Sequence, residues 1–173
     1  MGTAGKARRF PTMAQTLQIA SLLLVAVAWA LAFAHAAEYP GKMRLERNDY
    51  YVVQTIYYPG FTLGGASEPL AIAALAVLLA FVPFESADFW LVGLALVATV
   101  ATQAIFWITT QPVNRVWVRE LKLGKTGGRF FAPDARSVSG DWMKLRDRWE
   151  ASHLARAALM SVALIALVVA VAL

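Results

Sequence analysis

The sequence predicts an all-α integral membrane protein: a four-helix bundle, up-down-up-down, with a short interfacial helix in its first connector. Three observations carry this. Of 173 residues, 59% are hydrophobic and only 16% are charged, and the mean hydropathy of +0.55 lies outside the range of soluble domains. The apolar residues gather into four runs long enough for membrane helices. Between the runs lie segments rich in charge, glycine and proline. The length leaves room for one domain, 1–173. The chain has no cysteine, which excludes disulfides, thiolate zinc sites, iron–sulfur clusters and dithiol relays.

The tail MGTAGKARR is small and basic, and disorder is expected there. No charged residue occurs from Phe10 to Ala37; at about 1.5 Å per residue a helix over this run exceeds the ~30 Å hydrocarbon core. The run is too long for the apolar region of a typical signal peptide. Pro40-Gly41 is expected to end this first span, at about residues 13–37. The connector EYPGKMRLERNDYYVVQTIYYPG carries four tyrosines between Asn48 and Tyr58. A short helix capped by Asn48 or Asp49 and closed by Pro59-Gly60 fits it, with the tyrosines as an interface belt.

The second span, at about 64–84, is uncharged except for Glu68 at its boundary; Ser67-Glu68-Pro69 has the form of a helix start, with serine as cap. Glu85 to Asp88 makes a tight acidic turn. The third span, at about 88–111, places Gln103, Trp107, Gln111 and Asn114 on one face at steps of four, four and three. Pro112 should end or kink it. Residues 115–141 form a basic loop, and helix resumes near Asp141 for the last span, 142–173.

The net charge is +5. In a membrane chain such charge reports orientation and lipid contact before nucleic acid, and no base-reading motif is present. The two long connectors hold twelve of the sixteen Lys/Arg. The positive-inside rule puts those connectors in the cytoplasm, of a bacterial inner membrane, although the basic N-terminal tail argues the other way. Nothing in the sequence sets the oligomeric state.

The chain has two histidines, and each lies three residues from a glutamate at the junction of an apolar run with a charged segment: His35 with Glu38, and Glu150 with His153. Residues three apart share a helix face. An up-down-up-down bundle brings both couples to one membrane face, with Glu68, Gln111, Asn114 and Arg156. Polar groups near the hydrocarbon core cost a few kcal/mol, so they usually face inward and do something.

Three chemistries fit these residue types. A carboxylate-bridged metal site in a helical bundle uses Glu-x-x-His pairs and further glutamates. His35, Glu38, Glu68, Glu150 and His153 would supply it for iron, manganese or zinc, with Gln54, Gln111 or Asn114 as neutral ligands. Without a metal, His35 or His153 could serve as general base for a phenolic or enolic substrate arriving from the lipid. A b-type haem held by His35 and His153 is the third. Against all three, histidine and glutamate at helix ends are often plain interfacial residues satisfied by water and by Arg156 or Arg146.

TTQPVNRVW at the end of the third span and LRDRWEASHLAR leading into the fourth resemble the anthrone oxygenase-like family of small four-span membrane proteins. AFAHAAEYPGKMRL, YYVVQTIYYPGF and GASEP resemble its bacterial branch, so that the resemblance covers nearly the whole chain. It implies a four-helix membrane bundle. For the characterised members it implies oxygenation of a polyketide anthrone to a quinone without an obvious cofactor. By resemblance Asn114, Trp149, His153 and Arg156 carry over. Pro112-Val113-Asn114-Arg115 stands where a more closely repeated asparagine pattern is expected.

The function expected is a small membrane oxidoreductase or oxygenase-like enzyme acting on a lipophilic aromatic or quinone-type molecule. His35, His153, Glu150, Asn114 and Arg156 would be the working groups, and Gln54, Trp107, Gln111 and Trp149 would bind substrate. The different-class alternative is a non-catalytic membrane subunit or lipid-binding scaffold whose polar cluster only locks the bundle.

Overall fold

The computed structural model describes residues 12–120 and 141–173; the basic tail and most of the basic loop fall outside them. The described residues are helical and include no strand: α1 (Met13–Lys42), α2 (Arg47–Thr55), α3 (Gly60–Gly64), α4 (Ser67–Phe81), α5 (Ala87–Ile105), a π-helical turn (Phe106–Thr110), α6 (Gln111–Glu120) and α7 (Trp142–Ala172). Four stretches are long and apolar enough to cross a membrane: Met13–Lys42, Gly60–Phe81, Ala87–Trp117 and Trp142–Ala172. The chain is an all-α four-helix bundle of the integral membrane class.

Helix α7 packs on α1 and α5, and α4 packs on the same two. Helices α1 and α7 run antiparallel. Gln18 near the start of α1 donates to the Ala170 carbonyl near the end of α7 at 3.0 Å. Trp29 Nε1 donates to Ser161 Oγ at 2.9 Å midway. At the other end the rings of His35 and His153 meet. The main core is built of Val25, Ala28, Ala32, Ala71, Leu75, Leu78, Val92, Ala95 and the α7 stripe Ala157, Met160, Ala163, Ala166 and Leu167. Between membrane helices, close van der Waals packing does the work that water exclusion does elsewhere, and small residues allow it. The outward faces carry Leu23, Val27, Trp90, Leu94, Val97 and Ile165, all exposed, as lipid contact requires.

Helix ends follow their local chemistry. Thr12 and Gln15 form a capping box at α1, with Thr12 N–H donating to Gln15 Oε1 at 2.8 Å and Gln15 N–H to Thr12 Oγ1 at 3.3 Å. Ser86 caps α5 by accepting from Phe89 N–H at 3.2 Å. Asp141 caps α7, accepting from Met143 N–H at 3.0 Å, where helix was expected to resume.

Five boundaries differ from the sequence expectations. Helix α1 runs through Pro40-Gly41 to Lys42: a proline in the last turn costs one backbone hydrogen bond and leaves the rest of the helix intact. Helix α2 begins after Glu46, without a side-chain cap. Gly60 opens α3 rather than closing a connector, and Ser67 is the first residue of α4, its hydroxyl turned back to the Gly64 carbonyl at 2.7 Å. Helix α6 continues past Pro112 to Glu120, so the basic loop does not begin at 115. Pro112 has no N–H for the Ile108 carbonyl four residues back. The turn just before it is π-helical, with Gln111 N–H bonded to the Phe106 carbonyl, and Arg148 Nη2 from α7 donates to the freed Ile108 carbonyl at 3.0 Å.

Candidate functional site

At the end of the bundle where α1 finishes and α7 begins, the two histidines come together. Their ring centroids are 4.1 Å apart at an interplanar angle of 31°. Both side chains are buried. Trp149 stands edge-on to both, with centroids 5.0 Å from His35 and 3.9 Å from His153. Tyr57 and Phe61 close on His35 at 4.5 and 4.8 Å. The antiparallel pairing of α1 with α7 makes this meeting possible.

Beside the pair lies a cavity of about 330 Å³, within the range of small-molecule sites. His35, His153, Gln54, Trp149, Asn114, Arg156, Glu68 and Trp107 line it, together with Tyr57, Tyr58, Phe61, Phe106 and Gln103. The apolar wall combines these rings with Leu31, Ala32, Ala66 and Pro69, and the polar wall is a continuous ladder. Arg156 donates to Glu68 Oε1 through Nη2, and its Nη1 lies 3.3 Å from His153 Nδ1. With the Gln103 amide turned to satisfy both of its ends, it donates to Glu68 Oε2 at 2.8 Å and accepts from Trp107 Nε1 at 3.0 Å. The Arg156 guanidinium also sits over the Phe106 ring at 5.2 Å. Trp149 Nε1 donates to Asn114 Oδ1 at 2.8 Å, and Thr110 shares a 2.9 Å hydrogen bond with Ser152.

No family model, no curated protein and no solved structure matches this chain.

A second polar group sits at the outer side of the histidines. Lys42 Nζ lies 3.0 Å from Glu150 Oε2, an ion pair set off-line for a hydrogen bond, and 3.7 Å from Glu38 Oε2. Its ammonium also faces the Trp149 ring at 4.8 Å. Tyr50 donates to Glu150 Oε1 at 2.8 Å, and Tyr57 donates to Glu38. These tyrosines do not form the interface belt that the sequence suggested. Tyr50 and Tyr57 are buried with Val113, Trp117 and Trp149 in a second, aromatic core, because α2 folds back over the end of the bundle. Burial raises their phenol pKa values above the ordinary 10; the adjacent carboxylates add to this, Glu150 for Tyr50 and Glu38 for Tyr57. Burial alone pushes Tyr58 up to about 12.

The geometry sorts the expected site residues. His35, His153, Arg156, Asn114, Gln54, Trp107, Trp149 and Glu68 converge on the cavity. Glu150 does not line it; Lys42 and Tyr50 hold its carboxylate. Gln111 is buried but lies off the cavity wall. The π-helical turn before it shifts the helix register by one residue, which breaks the four-four-three face. Glu38 is the half-exposed member of the set, 4.0 Å from His35 Nδ1.

The five candidate metal ligands do not form one set: among the described residues no three His, Asp or Glu side chains are grouped to hold an ion. Each carboxylate is already engaged, Glu68 by Arg156, Glu150 by Lys42 and Tyr50, Glu38 by Tyr57. Iron, manganese or zinc bound by all five therefore does not fit. A haem does not fit between the histidines either. Axial ligands must face each other across the porphyrin, and these rings are in contact. Arg146, a possible partner for the interfacial groups, pairs with Asp147 instead.

Lys42, Tyr57, Phe61 and Phe106 were not anticipated. Lys42 carried a signal, four residues after Glu38 on the same helix face, hidden by the proline and glycine between them.

Proposed function

We propose that this membrane protein binds a lipophilic aromatic or quinone-type molecule in the cavity beside His35 and His153 and acts on it as an anthrone oxygenase-like oxidoreductase. The observation that carries the reading is the contact of the only two imidazoles in the chain at the wall of an aromatic cavity. The resemblance to the anthrone oxygenase-like family supplies the reaction class. An anthrone CH2 next to two aromatic rings is acidic enough for an imidazole to take its proton. The carbanion gives its electrons to dioxygen and forms a hydroperoxide. Loss of the second C–H proton breaks the O–O bond. The sum is anthrone plus O2 giving anthraquinone plus water. Asn114 and Trp149 fix the ring wall, and Arg156 holds His153 in place. We place the connectors on the cytoplasmic side of a bacterial inner membrane, from their lysine and arginine content.

The test is conversion of an anthrone to its anthraquinone, followed by absorbance in aerated detergent solution. The purified protein is expected to exceed a heat-denatured control, with most of the excess lost in His35→Gln and in Ala66→Trp, which puts a bulky ring on the cavity wall. Conversion no faster than the control overturns the reaction. The buried Glu68–Arg156 and Lys42–Glu150 pairs favour a second reading, a scaffold whose polar groups lock the bundle. That reading gains if His35→Gln and His153→Gln leave both conversion and ligand binding unchanged.

A further inference from the structure

The two histidines are chemically inequivalent, and the difference lies in what faces each Nδ1. Arg156 Nη1 lies 3.3 Å from His153 Nδ1. A guanidinium carries five N–H donors and no acceptor, so the hydrogen bond exists only if His153 Nδ1 presents its lone pair. The single proton of the neutral ring then sits on Nε2. Arg156 is not free to turn away. Its Nη2 is held by Glu68, and Gln103 from α5 holds the other oxygen of that carboxylate. Glu68 and Arg156 are both buried. His35 has the opposite neighbour. Its Nδ1 lies 4.0 Å from Glu38 Oε2, beyond hydrogen-bond reach but close enough for a carboxylate to attract an N–H and repel a lone pair. The same carboxylate oxygen lies 3.7 Å from Lys42 Nζ and accepts from Tyr57.

We infer that the Glu68–Arg156 pair is a positioning device that fixes the His153 tautomer, so that the paired imidazoles hold opposite tautomers and have separate tasks. His153 is the hydrogen-bond donor, through Nε2–H. His35, protonated at Nδ1, keeps a lone pair on Nε2 and is the group that accepts a proton. This division of labour rests on the proton transfer proposed above; the tautomers themselves do not. Arg156 and Glu68 are positioning residues here, because they act through His153.

The chain has only two histidines, so 15N-histidine labelling gives two ring spin systems, and His35→Gln assigns them. Couplings between ring nitrogens and carbon-bound protons report which nitrogen carries hydrogen. The neutral protein is expected to show Nε2–H for His153 and Nδ1–H for His35. In Arg156→Met the excess of the Nε2–H form of His153 should fall about tenfold, the worth of one charge-assisted hydrogen bond, and Arg156→Lys should largely retain it. Nδ1–H on His153, the same tautomer on both rings, or an unchanged His153 in a folded Arg156→Met overturns the proposal. If Arg156→Met does not fold, the spectrum of the unsubstituted protein decides alone. Expected tautomers in a protein that does not oxidise an anthrone would sink the reaction and leave the positioning device standing.

Discussion

The buried ammonium of Lys42 stands 3.0 Å from the buried carboxylate of Glu150, joining the last turn of α1 to α7. Tyr50 of α2 donates to the same carboxylate, so three elements close on one group. Removing one partner of a buried pair strands the other charge. Lys42→Met should therefore cost roughly 3–5 kcal/mol in unfolding free energy. Adding Glu150→Gln should restore most of this, since the amide oxygen still accepts from Tyr50. Thermal unfolding in detergent measures both. A Lys42→Met protein as stable as its parent would show that the pair contributes nothing.

Pro112 and Arg148 should be energetically coupled. Arg148→Ala leaves the Ile108 carbonyl without its donor and should cost about 1 kcal/mol. In Pro112→Ala the new backbone N–H can take over that carbonyl, and the arginine substitution should then cost almost nothing. A double-mutant cycle gives the coupling directly. Additive effects would remove the link between this proline and that arginine.

The connector tyrosines should titrate late. Burial pushes Tyr58 up to about 12 and raises Tyr50 and Tyr57 further in the same direction. A phenol whose folded pKa exceeds its unfolded value of about 10 stabilises the fold fully below that value, and loses its contribution as pH rises through the folded pKa. Phenolate absorbance should therefore lag a free tyrosine between about pH 10 and pH 12, and stability should fall across the same window. Tyr50, Tyr57 and Tyr58 ionising near pH 10 in the folded protein would contradict the burial of this connector.

Asn114→Ala should leave the buried Trp149 N–H without its acceptor, at a cost of about 1–3 kcal/mol. Because the indole packs against both imidazoles, the near-ultraviolet dichroism should change as well. An unchanged spectrum with unchanged stability would mean that the indole does not depend on Asn114.

The four helices were legible because a membrane helix needs only length and apolarity, and both are sequence properties. The meeting of His35 with His153 was legible too, since chain reversal brings the ends of long helices together. Less legible were features that depend on how one helix answers another. Pro40 and Pro112 look like terminators in isolation; the first costs one bond in a last turn, and Arg148 compensates for the second from a different helix. The π-helical turn moved Gln111 off the wall, and no local pattern announces a one-residue register shift. Glu150 shares a face with His153, yet Lys42 and Tyr50 claim its carboxylate. Opposite charges in low dielectric outweigh proximity along a helix.

The alanine stripe of α7 lets α1 and α5 approach it closely. Ala157, Ala163, Ala166 and Ala170 are buried where α7 meets its neighbours, and each offers a single methyl. The cavity lies beside Arg156, one residue before the stripe begins. Ala163→Leu would act as a spacer under α7 and, because the same helix carries His153, would shift the two imidazoles relative to each other without touching either.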